Sequence, residues 1–163
     1  MTTATTSPTV EALKAFAVKT LTTASEFFVK DINAISHEDL GKSWGAGSRT
    51  GYDIAYEVAI INRRMAFWCR GENPGPMPWK FGEEWLKAPA EFQNKEAVIG
   101  LIKETADELL NCANGDIEKE VVIGEDEAFV YQMILRGAQH TSYHAAQLNF
   151  IQELTGDMAV HWD

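Results

Sequence analysis

Four long segments of the chain place apolar residues at intervals of three and four positions, and this periodicity constrains the fold more than any other feature. The segments cover about residues 8–35, 50–70, 92–112 and 127–154. Such spacing puts an apolar stripe along one face of an α-helix, which other helices must then cover. No segment of comparable length alternates apolar and polar residues as a β-strand does. The pattern therefore predicts an all-α fold, a four-helix bundle whose connectors differ in length.

Residues with strong positional preferences mark the ends of these helices. Ser7, which a proline follows, is predicted to cap the first helix. Thr50 and Asp53 resemble the capping box that opens a helix, with Asp in place of the usual Glu or Gln. Gly156 is well placed to end the fourth helix. These signals set the predicted boundaries of the second and fourth helices.

Two connectors carry signals of their own. Residues 71–90 contain four of the five prolines and three aromatic residues, Trp79, Phe81 and Trp85. A loop of this length in a compact domain is usually functional or packed on itself, so we expect it to lie over the mouth of a pocket. Residues 121–123 are expected to form one short extended piece, without a sheet.

Length and charge narrow the classes of function. A chain of 163 residues suits a single domain spanning 1–163, in which residues 1–7 are expected to be disordered. The net charge is −10, from 24 acidic and 14 basic residues. Nucleic acids and anionic membranes are negatively charged and bind clusters of Lys and Arg, whereas this chain is acidic. We therefore expect neither as a partner.

Localisation follows from signals that the sequence lacks. No run of about 18 apolar residues predicts a transmembrane helix, and the first ten residues have neither the basic nor the apolar part of a secretory signal. Cys69 and Cys112 form no CxxC motif, which excludes a zinc site built from cysteines and is typical of a reducing compartment. We therefore expect a cytoplasmic protein.

The stretch HTSYHAAQ places His140 and His144 four positions apart in the fourth predicted helix. At 100° per residue both histidines fall on the apolar face, and Gln147 continues it. Two imidazoles one turn apart can present two nitrogens to one metal ion, with Gln147 holding a ligand in place. They can equally be hydrogen-bonded residues of the core. The spacing alone leaves both interpretations open.

A metal site needs a further protein ligand, and Glu57 is the candidate on a facing helix. It lies beside the apolar stripe of the second predicted helix, where a carboxylate is costly unless a cation pairs with it. The alternative is a Glu57 side chain in solvent or in an ion pair with Arg63 or Arg64. The other two histidines, His37 and His161, lie outside the predicted helix cores.

Residues 140–157, HTSYHAAQLNFIQELTGD, resemble the fourth-helix signature of the DinB-like (YfiT-like) metalloenzyme family. That signature has two histidines four positions apart, then Gly or Ala, Gln and an apolar residue, with a Gly near the helix end. The matching residues here are His140, His144, Ala146, Gln147, Leu148 and Gly156. The length, the order of four helices and the TGYDIAYE stretch are similar as well. The resemblance implies a DinB-like four-helix bundle with a divalent metal and, often, a homodimer.

The chain departs from the family pattern at the third ligand. The family has a His on the second helix, four residues after the capping residue, and this position is Glu57 here, or Tyr56 if the helix starts one residue earlier. Either Glu57 replaces the imidazole, or the metal site has degenerated. A site of two His and one carboxylate suits Zn, Ni, Mn or non-haem Fe(II).

The resemblance implies a metal-dependent enzyme acting on a small molecule. The family includes transferases that use a low-molecular-weight thiol, so S-transfer is expected first and metal-assisted hydrolysis second. The alternative is a bundle with a degenerate metal site that serves as a non-catalytic binding or dimerisation module. No residue is singled out as catalytic beyond the three candidate ligands.

Overall fold

The computed structural model describes residues 9–80 and 82–162, and most of them are helical. The α-helices in chain order are α1 (Val10–Ala34), α2 (His37–Gly41), α3 (Gly51–Arg70), α4 (Lys95–Asn111) and α5 (Val130–Leu154). Helix α1 packs against α5 and α4, and α3 packs against α4 and α5. The predicted all-α class is confirmed for the described residues.

The segment between α4 and α5 differs from the prediction. Strands β1 (Glu120–Ile123) and β2 (Asp126–Phe129) pair antiparallel, with Val121 opposite Ala128. Gly124 begins the turn between them with a φ of +66°, which matches the twist of a tight hairpin. The prediction of an extended piece without a sheet was wrong, because Val121 and Ala128 are both buried against the helical core. Since β2 occupies residues 126–129, α5 starts later than predicted.

The first helix begins at Val10 under a different cap from the predicted one. The hydroxyl of Thr9 accepts a hydrogen bond from the Ala12 backbone N–H at 3.1 Å. The predicted cap Ser7 and the predicted disorder of residues 1–7 lie outside the described residues.

The start of α3 is as predicted and fixes the rotation of this helix. The Thr50 hydroxyl accepts from the Asp53 N–H at 3.1 Å, and the Asp53 carboxylate accepts from the Thr50 N–H at 3.2 Å. Both bonds of the capping box are therefore present. The Glu57 side chain then lies on the buried side, with 8% of its surface exposed. The alternative position, Tyr56, stacks on Phe92 with ring centroids 5.4 Å apart.

The loop 71–90 is held down at both ends. The Arg64 guanidinium donates to the backbone carbonyls of residues 74, 75 and 76. Near the other end, the Ala88 N–H and the Lys87 ammonium both donate to Asp53, each at 2.9 Å. Trp79 is buried in the core, and Trp85 lies half exposed at the edge of a cavity. The third aromatic residue of the predicted cover, Phe81, lies outside the described residues.

The longest helices, α1 and α5, have 25 residues each. Polar and charged residues on their outer faces lower their mean hydropathy. Within residues 9–80 and 82–162, no helix combines the length and the apolar character that crossing a membrane requires.

Candidate metal centre

His140 and His144 face each other on successive turns of α5. Their Nε2 atoms are 3.1 Å apart, and the rings meet nearly edge to face with an interplanar angle of 74°. The His144 side chain is buried, with 2% of its surface exposed, whereas the His140 side chain keeps 23% exposed. The pair therefore presents two imidazole nitrogens to one point, with an opening on the side of His140.

Glu57 brings a carboxylate oxygen to the same point from α3. Its Oε1 lies 3.4 Å from His144 Nε2 and 3.7 Å from His140 Nε2. One ligand atom from each residue lies within 4.8 Å of the other two. Among the described residues, these three side chains form the one group of His, Cys, Asp or Glu that is arranged to hold a metal ion.

The spacing of the three donor atoms fits a transition-metal ion. Ligands at about 2.1 Å from a metal stand about 3.0–3.5 Å apart in a tetrahedral or octahedral shell. The two distances that involve His144, 3.1 Å to His140 Nε2 and 3.4 Å to Glu57 Oε1, fall in that range. The third, 3.7 Å, is slightly longer. Only small side-chain adjustments would therefore bring all three atoms to one ion.

Gln147 sets the tautomer of His144. The Gln147 Oε1 accepts from Arg49 Nη2 at 2.9 Å, which identifies this atom as the oxygen because Arg can only donate. The same oxygen is 2.8 Å from His144 Nδ1, so Nδ1 carries the proton. In the neutral ring the lone pair is then on Nε2, the atom that faces His140 and Glu57. This is the usual arrangement of a metal-binding histidine.

Arg49 completes the cluster from the connector before α3. Its Nη1 donates to Glu57 Oε2, in an ion pair whose two side chains are almost fully buried. The two cations considered from the sequence lie elsewhere: Arg63 pairs with Glu104 and Glu108, and Arg64 binds loop carbonyls. The predicted alternative partners of Glu57 were therefore wrong.

Glu57 is ionised in this environment. Burial by itself raises its pKa, but the nearby imidazoles of His140 and His144 and the charge of Arg49 outweigh burial and hold the pKa well below its ordinary value. Burial lowers the pKa of His140, which favours the neutral imidazole. The cluster thus contains an ionised carboxylate and, at His140, a neutral imidazole, which are the protonation states that metal binding needs.

The three side chains line a cavity of about 800 Å³. Glu57, His140 and His144 share this lining with Arg49 and Gln147. The remaining side chains of the walls are mainly apolar or aromatic, among them Trp44, Ile54, Trp85, Tyr143, Phe150 and Ile151. A cavity of this size with a few convergent polar groups is typical of a small-molecule site.

Sequence reasoning missed Arg49 as a member of the cluster. It lies in a Gly- and Ser-rich connector, where no periodic pattern marks it as buried.

The other two histidines lie away from the cluster, as expected. His37 Nδ1 bonds to the Tyr52 hydroxyl at 2.7 Å, and His161 Nε2 pairs with Asp157 at 2.7 Å.

Comparisons of the chain with protein-family models, curated proteins and solved structures found no match. The membership of the DinB-like family remains a prediction from the residues of α5 and the start of α3. The candidate metal centre is inferred from the positions of Glu57, His140 and His144 alone, and not from a similar protein.

Proposed function

We propose that the chain is a metal-dependent enzyme that acts on a small molecule, with Glu57, His140 and His144 holding one divalent transition metal. The main support is the convergence of the three donor atoms, at 3.1 to 3.7 Å from one another, beside a cavity. The proposal includes a DinB-like four-helix bundle and a cytoplasmic location. The ion is Zn, Ni, Mn or Fe, all of which accept two imidazoles and a carboxylate.

We place the reaction among thiol transfers first and metal-assisted hydrolyses second. A divalent ion deprotonates a coordinating thiol and lowers the pKa of bound water, which serves either reaction. The protein side chains have separate roles. Arg49 orients Glu57, Gln147 orients His144, and apolar and aromatic side chains line the cavity beside them.

The second candidate is a non-catalytic binding or dimerisation module with a degenerate metal site. The buried Arg49–Glu57 ion pair favours it, because Arg49 already compensates the carboxylate without any metal. The two candidates differ in whether the purified protein retains an ion.

The test is elemental analysis of protein produced without affinity nickel. We expect about one equivalent of a transition metal in the parent protein, and a loss of most of it in His144→Ala and Glu57→Gln, because each removes one of three ligands. His37→Ala and Glu104→Gln are matched controls, since neither residue lies in the cluster. Circular dichroism of each variant separates loss of metal from loss of fold.

Two outcomes would contradict parts of the proposal. No metal in the parent, even after reconstitution with zinc, nickel, manganese and ferrous iron, rules out the metalloenzyme and favours the binding module. Metal loss in His144→Ala but not in folded Glu57→Gln removes Glu57 from the ligand set.

The proposal also includes a homodimer, which sedimentation velocity would test. A single species with the mass of one 18.1 kDa chain across the micromolar range would exclude it.

A further inference from the structure

Aromatic side chains surround the cavity beside the candidate metal centre. Trp85, Tyr143 and Phe150 all line it, and their exposed fractions are 48%, 61% and 57%. Trp44 lines the same cavity and is partly buried. Exposed aromatic residues grouped around one concave site are typical of a surface that a ligand covers.

Three separate parts of the chain hold these aromatic residues. Tyr143 and Phe150 lie two turns apart on α5, whereas Trp44 and Trp85 come from the two connectors on either side of α3. The Arg49 guanidinium lies 4.5 Å from the centroid of the Trp85 ring, and the Trp44 indole N–H donates to the Asp39 carbonyl at 3.3 Å. Both indoles are therefore held in place before any ligand arrives.

The charge of the site favours an anion. Arg49 compensates Glu57, and histidines that bind a metal are neutral. Among the described residues that line the cavity, Glu57 is the one acid. A divalent ion would therefore add two positive charges that no side chain of the cavity balances. The apolar walls strengthen the attraction of such a site for a negative group.

We propose that the cavity binds a small aromatic anion, with its charged group toward Glu57, His140 and His144 and its ring against Trp44, Trp85, Tyr143 and Phe150. This inference depends on the proposed function for the metal, and it specifies the class of substrate. The volume of about 800 Å³ accommodates a molecule of this kind.

The test uses three probes that separate the charge from the ring: phenylacetate, acetate and 2-phenylethanol. Isothermal titration calorimetry measures their binding to zinc-loaded protein whose metal content has been determined. We expect phenylacetate to bind at least about tenfold more tightly than acetate, which lacks the ring, or 2-phenylethanol, which lacks the charge. In protein stripped of metal, phenylacetate should lose its advantage over 2-phenylethanol.

Variants identify the surface that the ring contacts. Phe150→Ala and Trp85→Ala should each weaken phenylacetate binding about tenfold, because each removes part of the aromatic wall. Phe16→Ala is the matched control, since Phe16 is 60% exposed on α1 and does not line the cavity. It should leave the affinity unchanged.

The outcomes separate this inference from the proposed function. If the protein holds no metal, the proposed function fails. If it is zinc-loaded but binds acetate or 2-phenylethanol as tightly as phenylacetate, or binds none of the probes, the inference alone is overturned. A dimer that Phe150→Ala dissociates, without phenylacetate binding in the parent, would show that a second copy covers these aromatic residues instead.

Discussion

At the scale of single residues, Gln147 links two parts of the candidate metal centre through one oxygen. Its Oε1 accepts hydrogen bonds from both Arg49 and His144. Without this acceptor, the proton of His144 is no longer held on Nδ1 and the ring is free to turn. We expect Gln147→Leu to weaken metal binding about 10- to 100-fold, measured by competition with a chromophoric chelator.

The matched control for this variant is Gln139→Leu, because Gln139 is exposed on the same helix. It should bind metal as the parent does. Unchanged metal affinity in a folded Gln147→Leu variant would mean that Gln147 does not orient a ligand.

Cys112 is a second residue whose chemistry depends on a neighbour far away in the sequence. The neighbouring Cys69 thiol, helped by the charge of Arg70, outweighs burial and lowers the pKa of Cys112 below its ordinary value. Cys112 Sγ also lies 3.8 Å from the carbonyl oxygen of Ala66, one turn before Cys69 on α3. The same thiol pair raises the pKa of the buried Cys69.

Since the thiolate is the reactive form, alkylation of Cys112 by iodoacetamide should rise with pH through a midpoint below the pKa of an ordinary cysteine thiol, about 8.5. Mass spectrometry of peptides would locate the label, and we expect little of it on Cys69. Cys69→Ala should shift the midpoint upward, because the neighbouring thiol that lowers the pKa of Cys112 is lost. A midpoint at or above pH 8.5 in the parent would contradict this assignment.

At the scale of elements, α2 packs on the start of α3 without room for a side chain. A Cβ at Gly51 would lie 2.6 Å from Leu40 Cδ2 and 3.2 Å from the Cα of Leu40. The second of these is a backbone atom, so relief requires α2 to move, together with the connector that holds Trp44 and Arg49. We expect Gly51→Ala to lower the free energy of unfolding by about 1–3 kcal/mol, measured by urea denaturation.

Gly100 provides the control for this prediction. It is exposed in the interior of α4, and a Cβ there would meet nothing within 4 Å. Gly100→Ala should therefore raise the free energy of unfolding by about 0.5–1 kcal/mol, through higher helix propensity. Equal effects of the two substitutions would exclude a close approach at Gly51.

At the scale of the whole molecule, Trp162, near the end of the chain, packs on the first helix. The Trp162 ring stacks on Phe27 with centroids 5.3 Å apart, and its indole N–H donates to the buried carboxyl of Asp31 at 3.0 Å. We expect Trp162→Ala to cost about 2 kcal/mol of unfolding free energy, because it removes the stacked ring and a hydrogen bond to a buried group.

Met158→Ala, in the same tail but 79% exposed, should change the free energy of unfolding by less than about 0.5 kcal/mol. Thermal or urea unfolding of both variants tests the pair. A Trp162→Ala variant as stable as the parent would mean that the tail does not contribute to the stability of the fold.

Much of the candidate site could be predicted because it depends on helix geometry alone. A repeat of 3.6 residues places His140, His144 and Gln147 on one face of α5, and the capping box at Thr50 fixes the face on which Glu57 lies. These relations hold within a single helix, so a short stretch of sequence contains them. Glu57, His140 and His144 do lie together in the structure.

The remaining features depend on contacts between distant parts of the chain, and only the tertiary structure decided them. Arg49 reaches Glu57 from a connector without periodicity, and Cys69 meets Cys112 only because α3 packs on the end of α4. The β1–β2 pair forms where Val121 and Ala128 are buried against the helices. Local periodicity therefore determined the helices and the faces of the candidate ligands. The packing of the helices decided which charge pairs with Glu57 and which side chains surround the cavity, because connector conformation depends on the helices that it joins.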